Sequence, residues 1–247
     1  MRRNFVAFAI AMVAAFLLPA VLASGQDLHK TYDLARGSRV SIENVSGDIV
    51  IGTYNGNSIA VDAVRVGRDR DLVKIEEVSS GDRLELRVHY PESSNCDAGV
   101  NFEVRVPASM GYNFDHLSSV SGDIAVSGVQ GQVRAESVSG DVSVKDVSGL
   151  VSASSVSGDV EAEIRHLGGA GDMKFSSVSG DVRVKAPNDT DAVVEMSSLS
   201  GSLDTNFPIQ IEEKQTGPGH SAHGRLGAGS STLRLSTVSG DVSLNRI

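Results

Sequence analysis

Between Ser119 and Ile164 the chain alternates apolar or small residues with polar ones: Val138, Gly140, Val142 and Val144 against Ser139, Asp141, Ser143 and Lys145. A period of two belongs to a strand with one buried face and fits no helix. The alternation breaks at Lys145-Asp146 and at Ser154-Ser155, and the next Val restores it. These breaks sit inside a repeat. The phrase Val-Ser-Gly-Asp-Ile/Val stands at Val120–Ile124, Val138–Val142 and Val156–Val160, with weaker copies at 129–133 and 147–151. Glycine therefore falls at 122, 131, 140, 149 and 158, a step of nine, and the Gly-Asp pair returns every eighteen. Further copies lie at Val45–Ile49, Val178–Val182, Leu199–Leu203 and Val238–Val242.

An odd step would throw side chains onto the wrong face of a flat strand, so the chain must bend at each break. A meander with two-residue turns would satisfy this, but it would want Asn-Gly or Asp-Gly at the bends, and Ser127-Gly128 is the nearest match. An eighteen-residue coil with two straight sides, stacked on the next, accounts better for the longer period. The expected fold is thus all-β, a β-solenoid or β-helix-like array with coils of about 18–22 residues. Val120, Val138 and Val156 are expected to stack inside it.

Outside the regular stretch, Arg39–Glu43, Ile49–Ile51, Ile59–Val64, Leu84–Val88 and Asn101–Val106 read as strands, with Asn55-Gly56-Asn57 as a turn. The charged run from Val66 to Val78 suits a short helix or an excursion. After Gly158 the repeat is stretched by Gly168-Gly169-Ala170-Gly171 and bent at Pro187-Asn188-Asp189. The Gly- and His-rich segment Gln215–Gly229 is expected to be a mobile loop. The organisation expected is a β-rich part over 27–110 and the repeat solenoid over 111–247.

Composition narrows the class. Aromatic residues make up 4% of 247 residues and Trp is absent, which suits thin aliphatic layers between sheets. Arg2 and Arg3, the apolar run Phe5–Leu18 and the small residues Val21-Leu22-Ala23 read as a signal peptide over 1–23. The run is short for a membrane span and is closed by Pro19, so no transmembrane anchor is expected in the mature chain. No Cys follows it to take a lipid. The chain carries a net charge of −9, and removing Arg2 and Arg3 makes it −11, which argues against nucleic acid and anionic lipid as partners. Cys96 is the lone cysteine, so no intramolecular disulfide forms; a half-buried structural thiol is expected.

The matching features now run through nearly the whole mature chain: Ile42–Ile49, Phe102-Glu103-Val104-Arg105-Val106-Pro107, the Ser-Val-Ser-Gly-Asp series, and Gly227-Ala228-Gly229 before the last copy. In these the chain resembles the bacterial candidate-adhesin β-strand-repeat family, exported proteins with a domain of unknown function. The resemblance implies a β-solenoid-like protein of the cell envelope or outside the cell, periplasmic or at the surface, with an adhesive or scaffolding role.

Chemistry centres on the repeated Asp. Stacked in register, Asp123, Asp141, Asp159 and Asp181 form a column about 4.8 Å apart, repelling by about 0.9 kcal/mol per pair in water. Either they accept hydrogen bonds from turn N–H groups, or they gather Ca²⁺ as nonapeptide β-rolls do. Those rolls carry three glycines per nine where this chain has one. Gly47, Gly122, Gly140, Gly158, Gly180, Gly201 and Gly240 read as structural, supplying an unusual backbone angle or a close approach of coils. Ser121, Ser139, Ser157 and Ser179 would stack as a hydroxyl ladder. No Gly-x-Ser-x-Gly elbow or phosphate loop is present, and His220 with His223 is a weak metal pair without Cys or carboxylate beside it. A glycan-cleaving β-helix would need Arg134, Lys145 or Arg183 set against the aspartates. The function expected is therefore non-catalytic and without cofactor: an adhesin or envelope scaffold presenting an extended acidic face to an envelope or surface partner. The alternative is a periplasmic structural or envelope-stress factor with no external ligand.

Overall fold

A computed structural model describes residues 27–91, 96–167, 171–213 and 219–247. The signal peptide expected at 1–23 lies outside the described residues, as do 168–170 and 214–218. In chain order the strands are β1 Leu28–Tyr32, β2 Arg39–Glu43, β3 Ile49–Tyr54, β4 Ile59–Val66, β5 Lys74–Ser80, β6 Arg83–His89 and β7 Gly99–Pro107. Next come β8 Asn113–Ser121, β9 Ile124–Ser127, β10 Val133–Ser139, β11 Val142–Gly149, β12 Val151–Ser155, β13 Val160–Leu167 and β14 Asp172–Ser176. The last are β15 Val182–Ala186, β16 Ala192–Ser200, β17 Leu203–Thr205, β18 Gln210–Glu213, β19 His220–Leu226, β20 Ser231–Ser239 and β21 Val242–Arg246. The charged run at 66–78 holds one 3-10 turn, Arg70–Leu72, ahead of β5. No helix among the described residues is long and apolar enough to cross a membrane.

The strands form two sheets. One has ten strands in the order β1-β4-β7-β3-β9-β11-β13-β15-β21-β17, the other eleven in the order β18-β19-β16-β20-β14-β12-β10-β8-β2-β6-β5. Each coil contributes one strand to each sheet, and neighbouring coils pair in parallel, as β10 does with β8 and β12. This is the β-solenoid the sequence predicts. Two bends per coil explain the two periods: one carries Gly-Asp, the other Gly131 or Gly149 with Gln132 or Leu150 after it. Antiparallel strands finish the stack, β4 and β1 on β7 and β5 on β6 at one end, β19 and β18 on β16 at the other.

The chain does not wind in one direction throughout. The coil β2–β3 lies between β6–β7 and β8–β9, so winding starts inside the stack. At the far end the last coil, β20–β21, fits between β14–β15 and β16–β17, pairing in parallel with both. The segment expected to be a mobile loop instead supplies β19, paired along its length with β16.

The core is a set of stacked aliphatic columns. Ile49, Ile124, Val142, Val160, Val182 and Val242 lie in register and are fully buried. Across from them run Ile42, Leu117, Ala135, Ala153, Phe175 and Leu235, where the Phe175 ring neighbours the small Ala153. The valines at the head of the repeat do not belong to this core. Val120, Val138 and Val156 are 46%, 44% and 44% exposed, with Val45, Val178, Leu199 and Val238 like them. The reason is the bend: Ser137 is the last inward residue of β10 and Val142 the first of β11. The turn between them shifts the alternation by one, which a straight reading through Val138, Gly140 and Val142 overlooks.

A direct consequence is measurable by urea denaturation. Leu235→Ala is expected to cost about 2–5 kcal/mol, whereas Val138→Ser should stay within about 0.5 kcal/mol. Similar losses for the two would mean that the outer valines carry the fold.

Candidate functional site

At the Ser-Gly-Asp bend the parallel ladder is interrupted. On one side of it the N–H of Ser157 donates to Val138 C=O (2.8 Å), and on the other the N–H of Val142 donates to Asp159 C=O (2.9 Å). Between these bonds, the glycine carbonyl of one coil and the aspartate N–H of the next have no backbone partner among the described residues. Buried backbone groups must be satisfied from somewhere, and side chains of the repeat do it.

The carbonyls are reached by the serine two residues before the repeated Ser-Gly. Ser137 Oγ donates to Gly122 C=O (3.1 Å), Ser155 to Gly140 (2.8 Å) and Ser177 to Gly158 (2.8 Å). Thr237 serves Gly180 (2.9 Å), Ser198 serves Gly240 (2.9 Å) and Ser119 serves Gly47 (3.3 Å). All six hydroxyl residues are buried. In the first coil Asn44 does the same work, its Nδ2 donating to the carbonyls of Gly47 and Val100. Sequence reasoning missed this inner row. It placed the hydroxyl ladder at Ser121, Ser139, Ser157 and Ser179, all of which are exposed. The available signal was the extra Ser or Thr ahead of nearly every copy of the phrase.

The aspartates serve the orphaned N–H groups. Asp48 Oδ1 accepts from Asp123 N–H (3.0 Å), Asp123 from Asp141 (2.8 Å), Asp141 from Asp159 (2.8 Å), Asp159 from Asp181 (2.9 Å) and Asp181 from Asp241 (2.8 Å). Asn101 opens the series on Asp48, and Asp241 closes it on the N–H and hydroxyl of Ser202. The four predicted aspartates therefore do form one column, each with one oxygen committed to backbone. Arg183 takes the second oxygen of Asp159 (2.8 Å) and of Asp181. That guanidinium, followed by the Asp181 N–H, holds the Asp159 carboxyl below its ordinary range. Asp241 is held low by the Ser202 N–H and hydroxyl.

Glycine fits this column because nothing larger does. A Cβ on Gly122, Gly140, Gly158, Gly180, Gly240 or Gly201 would fall inside 3 Å of the neighbouring coil's glycine carbonyl, and one on Gly47 inside 3 Å of Val100 C=O.

The other candidates are scattered. His220 and His223 lie three apart on β19, so they point to opposite faces of a strand and cannot share an ion. Lys145 pairs with Glu161 (2.8 Å), and Arg134 stands on the outside of the eleven-stranded sheet near Glu136 (3.9 Å). Of the three cations a glycan-cleaving arrangement would use, Arg183 alone meets the aspartates. Cys96 is a half-buried free thiol. Among the described residues no three His, Cys, Asp or Glu side chains form a group that could hold a metal ion.

On the outside of the eleven-stranded sheet the registers align three rows. Val138, Val156, Val178 and Val238 make an apolar ridge; Glu136, Ser154, Ser176 and Ser236 lie beside it; Arg134, Ser152, Lys174 and Arg234 come next. Short serines on β12 between longer neighbours leave a shallow cleft of about 150 Å³.

Ser155→Ala leaves the Gly140 carbonyl unpartnered and is expected to cost about 1–3 kcal/mol. Asp141→Ala, at an exposed bond, should cost about 1 kcal/mol, and Asp141→Asn should be tolerated, as Asn101 is in its place. Because the folded-state pKa values of Asp159 and Asp241 are lowered, their contribution is complete above the unfolded value of about 4. It is lost as pH falls through the lower folded values, so the melting temperature should drop on acidification below about pH 4. A flat melting profile there would contradict the assignment.

Comparison with known proteins places this architecture. A candidate cell adhesion protein from Clostridium sporogenes ATCC 15579 shares the fold with a TM-score of 0.51 and 11% identity, over 90% of this chain and 100% of its own. A candidate adhesin from Bacteroides fragilis NCTC 9343 gives a TM-score of 0.43 and 13% identity, over 91% and 98%. No curated protein matches the sequence. The model of the Toastrack DUF4097 family matches residues 39–245. With the strands from β2 to β20 and most of β21 inside that match, this chain belongs to the Toastrack DUF4097 family.

Proposed function

We propose that this protein is a non-catalytic, exported adhesin or envelope scaffold that binds through its flat outer faces. The observation that carries the reading is the outside of the eleven-stranded sheet, where side chains recur in straight rows across successive coils. A face of that kind offers one partner many equivalent contacts, and repeat proteins bind through such faces. The Clostridium sporogenes protein of the same fold is described as a candidate cell adhesion protein, which agrees with this use. Export rests on the leader-like residues 1–23.

In this reading the aspartate column and the seven glycines build the scaffold and are not a Ca²⁺ site. A Ca²⁺ ion wants six to eight oxygens, while each of these carboxylates already gives one to backbone. Melting in Ca²⁺ and then in EDTA is expected to give the same midpoint, and a Ca²⁺-dependent rise would overturn the structural assignment.

Labelling of intact cells with a membrane-impermeant reagent tests the location. The adhesive reading expects the native protein to be labelled. Protection in intact cells, with labelling only after the envelope is opened, would replace it by a periplasmic structural role.

A further inference from the structure

We propose that the cleft over Ser152 and Ser154 binds the carboxylate of an acidic polysaccharide. This rests on the adhesive reading and names its ligand class. The cleft is lined by Arg134, Glu136, Ser152, Ser154, Lys174 and Ser176, with the backbone of β10 and β12 beneath. Pairing across β10, β12 and β14 puts Arg134, Ser152 and Lys174 in one row and Glu136, Ser154 and Ser176 in the next. The two cations therefore stand two coils apart, about 10 Å, on either side of a small hydroxyl residue.

Lys174 has no ion-pair partner among the described residues, and Arg134 holds Glu136 only at 3.9 Å. Elsewhere on the stack cations sit tightly on carboxylates, as Lys145 does on Glu161 (2.8 Å) and Arg234 on Glu195 (2.7 Å). In a chain of net charge −9, an unengaged ammonium facing a loosely held guanidinium across a recess is a local site for an anion. The three serine hydroxyls make no hydrogen bond among the described residues and are free to donate to the same carboxylate or to accept.

Glu136 decides the class of ligand. It would repel a run of acidic peptide side chains, which bring no donor for it. A sugar acid brings hydroxyls that donate to Glu136 and to the serines while its carboxylate lies between Arg134 and Lys174. No aromatic side chain lines the cleft, so recognition relies on charge and hydroxyls and binding should weaken as salt rises.

Calorimetric titration of the full chain with galacturonate oligomers tests this, with neutral galactose oligomers and poly-glutamate as comparators. Galacturonate is expected to bind, the neutral oligomer and poly-glutamate not. Lys174→Glu should weaken binding by about tenfold or more, the equivalent of one charge-assisted contact. Lys145→Glu changes net charge equally on the other sheet and should leave affinity unchanged. Both side chains are exposed, so unchanged circular dichroism is expected in each variant. No galacturonate binding, equal loss in both variants, or equal binding of poly-glutamate would each overturn the proposal. Binding by a protein that is never labelled on intact cells would keep the cleft and remove the adhesive reading; labelling without binding would do the reverse.

Discussion

A parallel stack of coils has a weak place wherever the chain leaves one sheet for the other. There the backbone turns away from its neighbours, and a carbonyl and an N–H in each coil lose the partners a straight strand would give them. Leaving the inner carbonyl unmet costs about 1–3 kcal/mol and losing the bond to the outer N–H about 1 kcal/mol, repeated at every coil. In this protein the inner Ser or Thr meets the carbonyl and the Asp meets the N–H, while Gly lets the coils come close enough for both. The motif is therefore a recipe for turning a corner without losing hydrogen bonds. The aliphatic columns can stay in register because the corners do.

This explains why the repeat is strict where it is and loose elsewhere. Residues of the straight segments need only be apolar inside, so Ala135, Ala153, Phe175 and Leu235 succeed one another in one column. In the regular coils the opposite bend keeps a glycine, at Gly131 and Gly149, but has Gln132 or Leu150 where the other bend has Asp. Even there Asn113 Oδ1 accepts the Gln132 N–H, though at 3.4 Å.

Much of the architecture was legible in spacing alone. The nine- and eighteen-residue periods require two bends per coil, and the alternation requires strands. The orientation of Val138 was not legible, because the phase of an alternating pattern is lost inside a tight turn and valine gives no sign of which side it takes. The inner Ser155 was hidden for a related reason: a serine reads as surface unless its partner, a carbonyl on another coil, is already known. Nor could the composition of 215–229 reveal β19, since Gly and His there pair with β16 through backbone and the strand is made by its neighbour. The cleft likewise depends on Arg134, Ser152 and Lys174 coming together from three strands, through register rather than proximity in the chain.

The place of the β20–β21 coil ties the far end of the stack together. Residues 242–246 are wedged between two earlier layers, and Ile247 N–H ends on Ala186 C=O. Because β16–β17 pairs in parallel with that coil, which in turn pairs with β14–β15, a layer made earlier in the chain must wait for a later one before it can dock. The far end of the solenoid therefore closes in one step rather than coil by coil.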